Sequence, residues 1–175
     1  LYEYSSEANT EYKNDYLNEL ISAVITENIA VAEKISRKIL LRDTSNQEAK
    51  LLMMVKSLNS NNKKQLQELR FDKDNQKNDL FEFIFFLNDK IKSKIEISNS
   101  LIEIVRSSYS NQGNNSQNYN FLLFYTSLAI LIDNKNYEAK FIKGQLLQMI
   151  GDYISAESTY LKIPKESTYF IDAQR

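Results

Sequence analysis

The chain has 175 residues, with 22 basic and 23 acidic side chains, a net charge of −1, and neither cysteine nor histidine. This length predicts one domain with a buried core, and the near-neutral charge does not favour a nucleic-acid surface. The missing residue types exclude disulfides, thiol nucleophiles, zinc clusters and histidine-based triads. No apolar run approaches the roughly 20 residues of a membrane-spanning helix. One proline and three glycines argue against β-sandwiches and barrels, which need many turns.

Residues 1–71 are predicted to form N-terminal helical repeats. Apolar side chains recur at helical spacing from residue 11 onward, the residues being Tyr12, Tyr16, Leu20, Ala23 and Val24. A polar break at 26–28 separates this stretch from a second helix that ends near Arg42. Residues 45–48, Ser-Asn-Gln-Glu, have the form of a capping box, which predicts that a further helix opens at Ser45.

Residues 72–100 are predicted to be an irregular linker followed by an aromatic helix. The most apolar segment is 80–87, LFEFIFFL, whose alternating phenylalanines suit a strand but whose longer spacing favours a core helix. A hydrophobic face for a partner is the secondary interpretation. Asp72 and Asp74 imitate the start of a calcium loop, but Lys77 stands where glycine is needed and Phe83 where glutamate is needed. A charged linker is therefore favoured at the start of this segment.

Residues 101–175 are predicted to form C-terminal repeats. Residues 100–103, Ser-Leu-Ile-Glu, have the form of a second capping box, and a polar loop at 111–118 leads into a helix over 119–132 with Ala129 at a contact position. A polar turn, a helix, a Gly-Asp turn and another helix then follow through residue 163.

The segment from 128 to 163 carries the clearest motif. It combines a small residue within one helix, a turn, Ala-x-x-x-aromatic in the next helix, and a later proline, the residues being Gly144, Gly151, Asp152, Tyr153, Ala156, Tyr160 and Pro164. In this pattern the region resembles a tetratricopeptide repeat, and it is similar to proteobacterial solenoids of that family. The match is poor at three positions of the first helix, where Lys140, Lys143 and Leu147 stand for Trp, Leu and Tyr.

The resemblance implies an all-α fold, with antiparallel helix pairs stacked as a right-handed TPR-like α-solenoid. In that family the first helix of each repeat lines a concave groove. The positions implied to bind a partner in the last repeat are Glu138, Phe141, Gln145, Gln148 and Met149. Phe141 and Met149 are equally well explained as core residues.

A second signal is internal similarity. Residues 43–50, DTSNQEAK, and 133–140, DNKNYEAK, match at five positions, and the two segments are 90 residues apart. Because 90 is not a multiple of the 34-residue period, either 72–100 hold an irregular helix pair or the chain is a piece of a longer protein. The second interpretation is favoured, since 167–175 begin a helix that is cut off.

These observations predict a non-catalytic scaffold or adaptor that binds a peptide or partner helix in the groove. The glycines are isolated rather than grouped in a phosphate loop, and no nucleophile has a partner at suitable spacing. No cofactor, metal, nucleic acid or membrane span is expected. The alternative is a structural solenoid subunit of a larger complex, assembled through its ends and the aromatic helix. The resemblance implies a soluble bacterial protein, and the sequence leaves open whether it is cytoplasmic or periplasmic.

Overall fold

A computed structural model describes residues 15–70, 94–111 and 119–174. Every regular element in these three segments is an α-helix, which confirms the predicted all-α class for the described residues. The chain divides into two compact units, residues 1–85 and 86–175. The predicted aromatic helix at 80–87 and the calcium-like segment at 72–83 lie outside the described residues. The three-part division expected from the sequence stays a prediction.

The first unit contains four described helices: α1, described over 15–25, α2 (Ile29–Leu40), α3 (Gln47–Asn59) and α4 (Lys63–Arg70). Helix α3 packs against both α2 and α4. The core includes side chains that are at most 1% exposed: Leu20, Val24, Ala32, Leu52 and Met54. Short polar turns join these helices, so neighbours in sequence are also neighbours in space.

The second unit contains α5 (Lys94–Asn111), α6 (Tyr119–Ile132), α7 (Tyr137–Met149), α8 (Tyr153–Tyr160) and the short α9 (Phe170–Ala173). From α5 to α8, each helix packs against the next one along the chain. The most deeply buried side chains include Leu101, Phe124, Leu128, Ala129 and Leu147. This serial packing is repeat-like, and its extension into a right-handed solenoid stays a prediction. No described helix is both long and apolar enough to cross a bilayer.

Within the described segments, one kind of turn occurs three times, at residues 27–28, 61–62 and 151–152. Its first residue has a positive φ of 61°, 52° and 83°, in that order. Its second residue donates its backbone N–H to a carbonyl five residues earlier and accepts, through its side chain, the N–H three residues later. Only the third copy uses glycine for the left-handed conformation. The first two copies are 34 residues apart.

The second kind of turn connects α2 to α3. The Asp43 carboxylate accepts the Ser45 N–H at 3.1 Å, and the Asp43 carbonyl accepts the Asn46 N–H at 3.3 Å. Asn46 Oδ1 then accepts the Ala49 N–H at 2.9 Å and caps α3, while Ala49 is fully buried. Aspartate and asparagine are suited to these roles because their short side chains reach nearby backbone amides.

The connection from α6 to α7 has the same structure. The Asp133 carboxylate accepts the Lys135 N–H at 3.0 Å, and the Asp133 carbonyl accepts the Asn136 N–H at 3.0 Å. Asn136 Oδ1 accepts the Ala139 N–H at 2.9 Å, and Ala139 is fully buried. The sequence similarity at an offset of 90 residues therefore corresponds to the same local fold in both units.

Both predicted capping boxes are wrong. The cap of α3 is Asn46 rather than Ser45, because the Asp43 turn sets the register and Asn46 is the residue that reaches the free amide. Ser100 lies inside α5, where its hydroxyl donates to the Glu96 carbonyl at 2.8 Å. The helix continues through Ser100 because its buried stripe already begins at Ile97.

Helix α8 ends earlier than the sequence predicts. Its last residue is Tyr160, and the Leu161 N–H closes it by bonding to the Glu157 carbonyl at 2.9 Å. Pro164 lies in the turn that follows, so the helix ends before proline could stop it. The helix expected over 167–175 is shorter in the structure, because only Phe170–Ala173 is helical there.

Replacing Ala156 by leucine is expected to lower the free energy of unfolding by roughly 1–3 kcal/mol through overpacking. Ala156 is 1% exposed on α8, which packs against α7. Chemical denaturation followed by circular dichroism measures the effect. Ser158→Leu is the control, since Ser158 is exposed on the same helix. An unchanged midpoint for Ala156→Leu would show that this position has room for a larger side chain.

Candidate partner-binding groove

The second unit contains a cleft of about 320 Å³ between α5, α7 and the segment that follows α8. Helix α7 supplies most of its wall, α5 supplies the opposite edge, and one tyrosine closes it from the C-terminal segment. Its lining residues are Val105, Arg106, Glu138, Phe141, Ile142, Gln145, Leu146, Met149 and Tyr169. We call this surface the α5–α7 cleft.

Four of the five residues predicted to bind a partner line this cleft. They are Glu138, Phe141, Gln145 and Met149, which recur every three or four residues and so share one face of α7. Gln148 is not part of the lining. Its Oε1 accepts a hydrogen bond from the Tyr160 hydroxyl at 3.0 Å, which joins α7 to α8 instead.

The apolar part of the cleft is organised around Phe141. Its ring centroid lies 5.7 Å from that of Tyr169 and 6.0 Å from that of Tyr160, and both ring pairs are tilted. Such aromatic contacts restrict the orientation of the central ring. Phe141 is half-buried and Met149 is half-exposed, so the cleft presents both an anchored ring and an accessible flexible side chain.

The polar edge of the cleft is an ion-pair network on Arg106. One guanidinium nitrogen donates to Glu103 one turn earlier on α5, at 2.8 Å, and another contacts Glu138 across the interface with α7. One positive and two negative charges therefore share this edge. Arg106 is half-exposed, so solvent screens the pairs and their main effect is to orient the groups rather than to stabilise the fold.

Gly144 allows close approach of α7 and α8. A Cβ atom at Gly144 would lie 2.2 Å from Cε1 and 2.5 Å from Cζ of the Tyr160 ring. No real side chain tolerates such distances, so the ring occupies the space that the missing side chain leaves. The small residue expected from the repeat pattern thus has a direct packing reason.

The other residues of the predicted repeat signature differ in their environments. Ala129 and Ala156 are buried, and the Ala129 carbonyl accepts the Ser98 hydroxyl at 2.8 Å. Gly151 adopts the left-handed conformation of the turn. Tyr153 is 68% exposed, and Pro164 is partly exposed. Tyr153 therefore lies on the surface rather than in the contact between α7 and α8.

Burial raises the pKa of the Tyr160 hydroxyl above its ordinary value of 10.0. The neutral phenol, which donates to Gln148, is thus the form that the fold favours. A raised pKa means that this contribution to stability is complete below the ordinary value and is lost as the pH rises through the higher one. The contact between α7 and α8 is consequently insensitive to pH across the neutral range.

Sequence reasoning did not find the α5 edge of the cleft or Tyr169. Val105 belongs to the apolar pattern of α5, and it is 2% exposed in the structure. Arg106 had one local signal, since it lies three residues after Glu103 and such pairs attract on a helix surface. For Tyr169, the only sequence feature that pointed to a role in the cleft was its apolar ring.

The cleft offers an apolar floor, an exposed amide at Gln145 and one ion-pair network, which suit non-covalent recognition of a polypeptide. Within the described segments, the acidic residues form no cluster able to hold a metal ion. No family model, no curated protein and no solved structure matches this chain.

Proposed function

We propose that this chain is a non-catalytic, TPR-like interaction module that binds a peptide or partner helix of another protein in the α5–α7 cleft. The observation that carries the proposal is the position of Glu138, Phe141, Gln145 and Met149 along one wall of a single cleft. The repeat resemblance implies the same four positions, together with Gln148, as a binding face.

The size and chemistry of the cleft favour side chains of a polypeptide as its occupant. Its volume of about 320 Å³ lies at the lower limit of small-molecule pockets, roughly 300–1,000 Å³. Phe141 and Met149 offer apolar contact to one or two anchoring side chains. Gln145 is exposed and can both donate to and accept from a partner backbone. Aromatic residues in such positions commonly carry much of the binding energy.

The first unit supports this assignment by contrast. The residues 90 positions before Phe141 and Gln145 are Leu51 and Val55, which are 1% and 0% exposed. At these two positions the first unit is therefore apolar and covered, whereas the second unit carries a half-buried ring and an exposed amide. The exposed Gln145 amide can form hydrogen bonds with water when the cleft is empty, which suits a surface that binds and releases its partner.

Two features support the TPR-like part of the proposal. The first two left-handed turns are separated by 34 residues, which is the length of a tetratricopeptide repeat. The contact between Gly144 and Tyr160 is the close helix approach that the small and aromatic positions of that repeat imply.

The test is the double change Phe141→Ala and Gln145→Ala. We expect it to weaken partner binding by about 2 kcal/mol or more, roughly a 30-fold rise in Kd, while helicity is retained. Affinity purification with mass spectrometry identifies the partners, and titration calorimetry measures each one. The control is Lys64→Ala with Glu68→Ala, an exposed pair on α4. If the folded cleft variant kept every partner at wild-type affinity, the cleft assignment would be wrong and the segment around Phe85 would be tested next.

The second candidate is a structural subunit that assembles with other chains through its ends. The observation in its favour is the set of exposed apolar side chains on and beside α8, including Ile154 at 84% and Leu161 at 71% exposure. A folded cleft variant that loses its partners supports the adaptor. Assembly that survives the cleft variant but depends on α8 supports the structural subunit.

A further inference from the structure

The two ends of the α5–α7 cleft differ in their chemistry. On the wall that α7 supplies, Glu138 lies at one end and Met149 at the other, so the two positions are about 16 Å apart along the helix axis. The ion-pair network on Arg106 lies at the Glu138 end. Phe141 and Gln145 lie between the two ends. An occupant must therefore match a charged end and an apolar end.

The charged end carries a net negative charge. Arg106 contacts both Glu103 and Glu138, so the three groups together have a charge of −1. The Glu103 side chain is 68% exposed and that of Glu138 is 22% exposed, so Glu103 is the carboxylate that a partner can reach. Within the described segments, only one of the two Glu103 oxygens bonds to Arg106, which leaves the second oxygen as an acceptor.

This end of the cleft disfavours an anionic occupant. Among the described residues that line the cleft, Arg106 is the only cation, and it is already paired. A phosphate or carboxylate would have to displace one of its two partners and would lie beside both of them. A lysine or arginine can instead bind the second oxygen of Glu103 without breaking either pair. Charge complementarity therefore favours a basic occupant.

The exposed amide in the cleft indicates the backbone form of the occupant. Gln145 is exposed, and its side chain forms no hydrogen bond within the described segments. A primary amide can donate to a carbonyl and accept from an N–H at the same time. An extended chain offers such unpaired backbone groups, whereas those of an α-helix interior are bonded within the helix. The amide is therefore better matched to an extended segment than to a helix.

Resting on the proposed function, we propose that the α5–α7 cleft binds an extended segment of a partner protein in which a lysine or arginine and a large apolar residue are four positions apart. In an extended chain such residues lie on the same side, about 13 Å from each other. Along α7, Gln145 lies about 10 Å and Met149 about 16 Å from Glu138. The basic side chain binds Glu103, the backbone contacts Gln145, and the apolar side chain packs against Met149.

Titration calorimetry of the 175-residue chain with synthetic peptides tests the proposal. The probes are serine peptides with blocked ends that contain one lysine and one leucine four positions apart, made in both orders. At least one order binds, and replacing its lysine by glutamate raises the Kd by about tenfold or more. Moving the two residues to a spacing of three places their side chains on opposite sides and raises the Kd by about fivefold or more.

Two charge variants locate the contact with the basic residue. Glu103→Gln reduces the preference for the lysine peptide over the glutamate peptide from about tenfold to about threefold or less. Glu68→Gln makes the same change of net charge at an exposed position on α4, and it retains the full preference. Circular dichroism confirms that each variant is folded.

Three results would overturn the proposal: a glutamate peptide that binds as tightly as the lysine peptide, a preference that Glu103→Gln leaves unchanged, or tighter binding of a helical peptide with the same residues. The double cleft variant Phe141→Ala with Gln145→Ala separates this proposal from the proposed function. If no extended peptide binds but this variant still loses its natural partners, the proposed function stands and the extended basic segment is the wrong occupant. If the natural partners are also retained, both are wrong.

Discussion

Replacing Asn136 by alanine is expected to lower the free energy of unfolding by about 2–4 kcal/mol, which sums a lost helix cap and two lost hydrogen bonds. Asn136 is 7% exposed, and its Oδ1 caps α7 through the Ala139 N–H. Its Nδ2 donates to Ser98 Oγ at 2.8 Å and to Asn99 Oδ1 at 3.0 Å, which connects the cap to α5. Ser98 in turn bonds to the Ala129 carbonyl at the end of α6. One side chain therefore links three helices.

The equivalent residue in the first unit provides the control. Asn46 caps α3 with the same 2.9 Å bond but is only partly buried, and the cap is its one side-chain hydrogen bond in the described segments. Asn46→Ala is expected to cost about 1 kcal/mol, the ordinary value of a cap. Asn136→Asp retains the capping oxygen but removes the donor to Ser98 and Asn99, so it should cost about 1 kcal/mol less than alanine, which is the value of the retained cap.

Denaturant unfolding measured on each variant gives these differences. Because the chain has two compact units, each effect is assigned to the transition of the unit that carries the substitution. Equal losses for Asn46→Ala and Asn136→Ala would show that the buried network adds nothing to the cap. A fully stable Asn136→Asp variant would show that the contact with Ser98 makes no net contribution.

The sequence predicts the helices well where apolar spacing and turn residues agree. The helix expected over 119–132 is α6 with those bounds, since a polar loop precedes it and the Asp-x-x-Asn turn follows it. The Gly151-Asp152 turn was predicted for the same reason. Where the two signals conflict, the local motif misleads. Ser100 looked like a cap, but the apolar stripe of α5 continues past it and decides the outcome.

One wall of the cleft was predictable because it needs only the periodicity of a single helix. The other wall depends on which helices meet, and no local pattern brings Arg106 or Tyr169 to α7. The hydrogen bond from Asn136 to Ser98 spans 38 residues, and that from Tyr160 to Gln148 joins two helices. Each becomes apparent only when the tertiary structure is known.

Two lysines show how burial can be hidden from a pattern of residue types. Lys140 and Lys143 stand where the repeat has apolar residues, which made the sequence match poor, yet they are only 6% and 3% exposed. Lysine has a long aliphatic stem that can fill a buried position while its amine finds a polar or aromatic neighbour. Lys140 Nζ lies 5.3 Å from the centre of the Tyr137 ring. A sequence pattern that expects apolar residues at buried positions therefore misses these two lysines, although both are buried.

Replacing Gly144 by valine is expected to lower the free energy of unfolding by about 3 kcal/mol, at the upper end of the usual cost of overpacking. The added Cβ alone would lie 2.2–2.7 Å from three atoms of the Tyr160 ring, so the ring itself must move. Tyr160 is buried, bonded to Gln148 and in contact with Phe141, so its displacement disturbs both α8 and the cleft. Gly144→Ala should cost less, because alanine regains up to about 1 kcal/mol of helix propensity.

A double-mutant cycle with Tyr160→Leu tests whether contact with the Tyr160 ring causes the destabilisation by Gly144→Val. Replacing the Tyr160 ring by leucine makes room at Gly144, so the two changes together should destabilise the fold less than the sum of their separate effects.

Gly151 is the matched control, since an added Cβ there meets nothing within 4 Å and only its φ of +83° opposes substitution. Gly151→Ala should cost about 1 kcal/mol without coupling to Tyr160. Gly151→Asn should cost less, because Asn61 occupies the equivalent position at a φ of 52°. If Gly144→Val cost no more than Gly151→Ala and added independently to Tyr160→Leu, the close contact of α7 with α8 would be refuted, together with the repeat register that depends on it.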